Sequence, residues 1–288
     1  MSRDKSKALF SLLSLLFFLG CGEGGVERNV ITLKGSDTMV ILGQRWAEHY
    51  MESHPNIIIQ VTGGGSGTGI AALIHGATDI CQASRPMKER ERKMVEDKHG
   101  KPVVEIPVAL DGITIYIHES NTLPDISLSQ LKKIYTGAIT DWKALGSPLE
   151  GRIIAYGREN NSGTYLYFLE HVLEDEDFDP MVQSLPGTAA VVNAVSKDPS
   201  SIGYGGIAYS SGVQIIPVKS EGGSEAVKPS LENVVDGTYP MSRNLLFYTV
   251  GEPEGKIKAF IQWVLSEEGQ SVCEEVGYYP LPNKMRES

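Results

Sequence analysis

The stretch Gly63-Gly64-Gly65-Ser66-Gly67-Thr68-Gly69 constrains this chain more than any other. It follows the β-like run Ile57 to Val61 and leads straight into the apolar Ile70-Ala71-Ala72-Leu73-Ile74. A strand that ends in glycines and reopens as a helix leaves the first helical N–H groups without intrahelical partners, and the macrodipole adds positive potential there. Such a turn is a seat for an anion, because glycine lets the backbone come close and Ser66 adds a hydroxyl. The competing reading is a bare strand-to-helix turn with no ligand. Two nucleotide readings fail on local grounds. A P-loop ends in Lys and Ser or Thr, whereas this stretch ends Gly69-Ile70. A dinucleotide fingerprint sits on the first strand of its βαβ unit with an acidic residue about 20 residues later. Here Asp79 comes too soon and another strand precedes. A small free anion remains.

Two further segments have the same construction. Asn29 to Lys34 reads as a strand, Gly35-Ser36-Asp37-Thr38 as a turn with N-cap residues, and Met39, Leu42, Trp46 and Tyr50 follow at helical spacing. Arg152 to Tyr156 reads as a strand that delivers Gly157-Arg158-Glu159-Asn160-Asn161-Ser162-Gly163-Thr164, after which Tyr165, Leu166, Phe168, Leu169 and Val172 continue as a helix. Arg158 is placed to chelate two oxygens of a tetrahedral anion while Ser162, Gly163 and Thr164 donate from the other side. The alternative is a structural ion pair from Arg158 to Glu159 or another carboxylate. Between these units, Asp79-Ile80-Cys81-Gln82-Ala83 is a short buried strand ending in Ser84-Arg85-Pro86. Arg85 reads either as a surface residue or as an anion clamp.

Connecting segments suggest two lobes. Val103 to Val108 and Ile113 to Ile117 are β-branched runs joined by Ala109-Leu110-Asp111-Gly112, a passage long enough to cross between lobes, and Asn244 to Val250 is a strand that crosses back. Met87 to His99 reads as a solvated charged helix, Ser127 to Tyr135 and Gly187 to Val195 as helices, and Ile257 to Val276 as one amphipathic helix stopped at Gly277. With 288 residues, 41% of them apolar, the chain can bury more than one core.

The net charge is −10, and it becomes −12 without residues 1–20, which carry Arg3, Lys5 and Lys7 against Asp4. Nucleic acid and anionic membrane surfaces are poor partners for such a chain. An anion site in it must work through local hydrogen bonds and one or two placed arginines. Residues 1–20 combine a basic start with an apolar run from Ala8 to Leu19, too short for a membrane span, and Gly20-Cys21 follows. This resembles a bacterial lipoprotein signal in which Cys21 becomes the acylated first residue, although Phe18 departs from the usual lipobox, and the alternative is an ordinary secretory signal cut elsewhere. Gly22-Glu23-Gly24-Gly25 then reads as a tether. Cys81 and Cys273 either pair or stay as separate buried thiols. His49, His54, His75, His99, His118 and His171 show no ligand spacing, and no metal, cofactor or catalytic residue is expected.

Taken in order, GSDTM (35–39), GGGSGTG (63–69), ASRPM (83–87), LKKIYTGAITDW (131–142), GRENNSGT (157–164), SIGYGGIAY (201–209) and GYYPLP (277–282) resemble the periplasmic phosphate-binding proteins of phosphate ABC importers. The resemblance covers almost the whole chain after residue 30. It implies a type II periplasmic-binding-protein fold, α/β, with two lobes joined by two crossover strands that close over the ligand. Residues 1–20 would be the signal and 21–27 the tether. One lobe would hold 28–110 plus 246–288, and the other 111–245. The implied ligand is inorganic phosphate, and the implied partners are the permease and ATPase subunits of the importer. The anchor would be the lipid membrane, through acylated Cys21, in the periplasm or at the cell surface. The phosphate ligands would be Ser36, Thr38, the backbone of Met39, Ser66, Ser84, Arg85, Arg158, Ser162, Gly163 and Thr164. Two positions depart from the best-known branch. Where that branch has an aspartate that accepts the phosphate proton, this chain has Arg85, so the acceptor moves to Asp37 or, less directly, Asp111. Asn160 also replaces an aspartate that pairs with the arginine. The alternatives are another tetrahedral oxyanion such as sulfate or molybdate, a phosphohydrolase using a Gly-Ser-Gly serine, or a signalling or adhesion lipoprotein on the same fold.

Overall fold

The computed structural model describes residues 29–220, 222 and 225–286. The expected signal, tether and acylated Cys21 lie outside those residues. In chain order the elements begin with β1 (Val30–Gly35), α1 (Val40–Ser53), β2 (Ile58–Thr62), α2 (Ser66–His75), β3 (Ile80–Ala83) and α3 (Glu89–His99). The long β4 (Val103–Ile117) follows, then β5 (Ile126–Ser127), α4 (Leu128–Tyr135), β6 (Ile154–Arg158), α5 (Gly163–His171), β7 (Gln183–Leu185) and α6 (Thr188–Val195). The remainder comprises β8 (Ser201–Gly206), β9 (Gln214–Ile216), β10 (Val218–Lys219), α7 (Leu231–Val235), β11 (Ser242–Val250), α8 (Gly255–Leu265), α9 (Glu267–Val276) and α10 (Asn283–Arg286).

The main sheet runs β2-β1-β3-β11-β4-β8-β6-β7, with β9 added on β4. At one end β1 pairs in parallel with β2 and β3, and at the other β6 pairs in parallel with β7 and β8. Each end is a βαβ group whose crossovers are helices, the arrangement parallel strands require. What joins them is β4. Its residues 103–112 pair antiparallel with β11 and its residues 113–117 pair antiparallel with β8. The two β-branched runs read from the sequence are thus one continuous strand, and β4 with β11 forms the double crossing of a two-lobed clamshell.

Separate apolar clusters fill the two ends. Met39, Trp46, Phe247 and Phe260 belong to one, while Tyr135, Trp142, Phe168 and Tyr204 belong to the other. The C-terminal segment touches both. Tyr278 packs in the first, but Tyr279 exchanges backbone hydrogen bonds with Leu110 and Leu281 is buried in the second. Gly277, at φ 95°, ends α9 and turns the chain toward that second cluster.

One expected helix is two. Ser266 adopts an extended conformation (φ −69°, ψ 169°) between α8 and α9, and its hydroxyl oxygen accepts from the Gly269 N–H. A hydroxyl cap competes here with helix continuation. Gly269 lies so close under the preceding turn that a Cβ would stand 2.2 Å from the Trp263 carbonyl oxygen. Cys81 and Cys273 are both buried and free.

Candidate anion-binding site

The strand ends of β1, β2 and β6 point the same way within their parallel groups, and the crevice beyond such carboxyl ends is where α/β sheets hold ligands. At β1, a single 3₁₀ turn (Asp37–Met39) precedes α1. Ser36 makes no cap. Its hydroxyl donates instead to the Ser84 hydroxyl at 2.8 Å, beyond the end of β3. Two tyrosines anchor the turn, since Tyr209 donates to the Asp37 carbonyl at 2.8 Å and Tyr278 to the Thr38 carbonyl. At β2, Gly65 is the N-cap of α2 and Ser66 is its first residue, fully buried, with its hydroxyl oxygen accepting from the Ser84 N–H at 3.1 Å. At β6, Ser162 caps α5, accepting from the N–H groups of Thr164 and Tyr165. Its own hydroxyl proton is left to donate.

These starts converge. The hydroxyls of Thr38 and Thr164 are 3.0 Å apart although 126 residues separate them in sequence. Gly163 sits so close to the opposite lobe that a Cβ would lie 2.5 Å from Ser66 Oγ and 2.7 Å from Ser84 Oγ. Only glycine fits there. Asn161 extends the contact, its carbonyl accepting from the Gly67 N–H at 2.9 Å and its amide donating to the Gly64 carbonyl at 2.9 Å. The two lobes therefore stand closed on each other around a cluster of buried hydroxyls: Ser36, Thr38, Ser66, Ser84, Ser162 and Thr164.

Two buried arginines border this cluster. Arg158, its side chain 1% exposed, reaches across the cleft to Asp37 Oδ2 at 2.8 Å and donates to Thr188 Oγ1 at 2.8 Å. The partner is not the adjacent Glu159. Burial pulls the Arg158 guanidinium down from its ordinary value, opposed by Asp37, and the group remains a cation. Its Nε is buried and has no hydrogen-bond partner, so it retains donor capacity. Asp37 also accepts from the Gly64 N–H through Oδ1 at 2.7 Å, which ties the first turn to the second.

The second arginine, Arg243, was not among the sequence candidates. It lies at the start of β11, one residue before the expected strand, and a charged residue opening an apolar strand was the only signal. Its Nε and Nη2 donate to Asp111 Oδ2 at 2.9 and 2.7 Å, its Nη1 to the Ser84 carbonyl at 3.0 Å, and its Nη2 also to Thr164 at 3.1 Å. Asp111 on β4 is fully buried, and burial pushes its carboxyl up while Arg243 opposes.

Of the expected residues, two are placed differently from the rest. The Arg85 guanidinium forms a bidentate pair with Glu91, both bonds 2.8 Å, and donates to the Pro86 carbonyl. Its Nε, also buried, has no partner. The Met39 N–H closes the 3₁₀ turn onto the Ser36 carbonyl at 3.0 Å, and its side chain is core. Among the described residues no three His, Cys, Asp or Glu side chains are grouped to hold a metal ion.

A family model for the PBP superfamily domain matches residues 23–268. The phosphate-binding protein PstS of Pseudomonas aeruginosa is 34% identical over 91% of this chain and 86% of its own length. The chain belongs to the PstS family. The PstS protein of Bacillus subtilis is 30% identical, covering 96% of this chain and 95% of the relative. Among solved structures, a phosphate ABC transporter substrate-binding protein from Clostridium perfringens with bound phosphate superposes with a TM-score of 0.80 at 30% identity. That match covers 88% of this chain and 100% of the other. An ABC-type phosphate transport receptor from Vibrio cholerae gives 0.69 at 27% identity, with 88% and 100% covered.

Proposed function

We propose that this protein captures inorganic phosphate in the cleft between its lobes and delivers it to the permease and ATPase subunits of an ABC importer. The observation that carries the reading is the meeting of Thr38, Ser66 and Thr164, from three separate helix starts, beside a buried arginine that crosses the cleft. Donors arrive from both lobes, so a tetrahedral anion is fully coordinated only when the lobes are closed, and binding selects that state. Thr38, Ser66, Ser84, Ser162, Gly163 and Thr164 supply neutral donors, and Arg158 supplies charge, while Ser36 acts through Ser84, to which it gives its hydroxyl proton. Met39 and Arg85 contribute least, since the N–H of one closes its own turn and the guanidinium of the other is committed to Glu91. Asp37 is the acceptor for the phosphate proton. Each of its oxygens already takes one donor and has a lone pair remaining. No bond is made or broken. The chain divides into lobes at 28–110 plus 246–288 and at 111–245, with the tail beyond Tyr278 leaning on the second. Acylation of Cys21, after removal of residues 1–20, holds the receptor at the outer face of the membrane.

Calorimetric titration with phosphate, and with sulfate as competitor at several pH values, tests the ligand. Phosphate is expected to win, and Asp37→Asn is expected to narrow the margin. No heat from phosphate at any pH would overturn the assignment. Incorporation of labelled fatty acid that disappears in Cys21→Ala tests the anchor.

A further inference from the structure

Arg243 reaches the hydroxyl cluster from neither lobe's helices. It stands on β11 directly opposite Asp111 on β4, so the pair bridges the two strands that join the lobes. A register shift between Leu245 and Leu246 lies just beyond it, and such irregularities re-aim side chains beside binding sites. Its side chain is 5% exposed and that of Asp111 is 0% exposed. The guanidinium carbon also lies 5.9 Å from the centre of the Tyr167 ring, which limits where the plane can turn.

The hydrogen-bond count is informative. Nη2 has three acceptors within reach: Asp111 Oδ2 at 2.7 Å, Thr164 Oγ1 at 3.1 Å and Thr38 Oγ1 at 3.4 Å. One of its N–H groups serves the carboxylate, so the other is divided between the two hydroxyls at long range. A divided N–H is a weakly used donor, and an oxyanion oxygen in its path would take it as one short charge-assisted bond. Meanwhile each threonine oxygen accepts from Arg243, which turns its O–H toward the other threonine or toward the cleft. The two hydroxyls are set as donors.

We propose that Arg243 is an anion-binding residue of this site, that it fixes Thr38 and Thr164 as donors, and that Asp111 neutralises it. The seat then discriminates by hydrogen-bond count and not by net charge. The charge balance agrees, since Arg158 is paired with Asp37 as Arg243 is with Asp111. A chain of net charge −10 thus builds an anion seat without a positive field. Because both members of the pair belong to the crossing strands, the same contact ties occupancy to the geometry of the hinge. This inference rests on the phosphate reading above.

The test is calorimetry on the wild-type protein and on Arg243→Lys and Asp111→Asn, each first melted without ligand to establish that it is folded. Arg243→Lys keeps a cation opposite Asp111 but cannot hold the carboxylate, the Ser84 carbonyl and both hydroxyls at once, and it is expected to weaken phosphate at least tenfold. Asp111→Asn leaves Arg243 unneutralised and is expected to tighten sulfate, read through its competition with phosphate, at least threefold. A purely structural pair would give no gain for any anion. Wild-type binding together with Arg243→Lys within threefold of it, or a folded Asp111→Asn whose sulfate affinity is unchanged or lower, overturns the inference. If Asp111→Asn does not fold, Arg243→Lys decides alone. A wild type that takes no phosphate overturns the underlying reading instead.

Discussion

Replacing Arg158 by alanine probes the cleft most directly. The side chain is almost fully buried, it holds Asp37 from the opposite lobe, and its Nε faces no partner, so it has both a latch to lose and a donor to withhold. Two charge-assisted bonds to an anion contribute about 1.5–3 kcal/mol each. Filling part of the vacated volume with water returns some of this, and a loss of about 3 kcal/mol is the working value, roughly a hundredfold in Kd. The loss has two sources, which a double-mutant cycle separates. In Arg158→Ala the Asp37 carboxylate faces the incoming anion unpaired and repels it. Arg158→Ala/Asp37→Asn removes that repulsion, so it is expected to bind better than Arg158→Ala alone, though still well below wild type. Calorimetry with phosphate on the four proteins gives the coupling. Single-mutant affinity within threefold of wild type would refute the assignment of Arg158 to the seat. Equal affinities for the single and double mutants would refute the part given to Asp37.

Gly69→Ala would place a Cβ 2.5 Å from the Lys34 carbonyl and 2.6 Å from Gly35 Cα, forcing α2 off β1. It is expected to cost at least about 2 kcal/mol and to lower the melting temperature, which an unchanged melt would contradict. Burial alone would raise the Glu91 carboxyl, but the Arg85 guanidinium and the Lys88 N–H outweigh it and hold the group below the usual range. A carboxyl with a depressed folded pKa adds stability above its unfolded pKa, so stability should fall as pH drops through about 4.3 and below, and Glu91→Gln should flatten that limb in acid denaturation. A steeper limb in the variant would argue against the pair. Burial pushes the Cys273 thiol up to about 12 and the Cys81 thiol higher still. In protein beginning at Asn29, both should therefore resist a thiol reagent until the chain is unfolded, and native labelling would contradict their burial.

By itself the sequence determined the three strand-turn-helix units and the clamshell they imply. Helix-start chemistry is settled within three or four residues, so Gly63 to Gly69, Gly35 to Thr38 and Gly157 to Thr164 announce it wherever they end up. A charge partner is another matter, because it depends on which strands become neighbours and in what register. Glu159 is adjacent to Arg158, yet the pair formed is with Asp37, 121 residues away. Arg85, from its place after a strand, reads as a surface residue or a clamp, but α3 folds back so that Glu91 meets it. Arg243 and Asp111 are 132 residues apart and meet only because β11 runs antiparallel to β4 with its register shifted just beyond the pair. The split of the last long helix at Ser266 is local by contrast, because a hydroxyl cap three residues before Gly269 and the packing of that glycine under the Trp263 turn outweighed a continuous apolar stripe. Local backbone geometry is written in neighbouring residues, whereas the pairing of buried charges is decided by the topology that brings distant strands side by side.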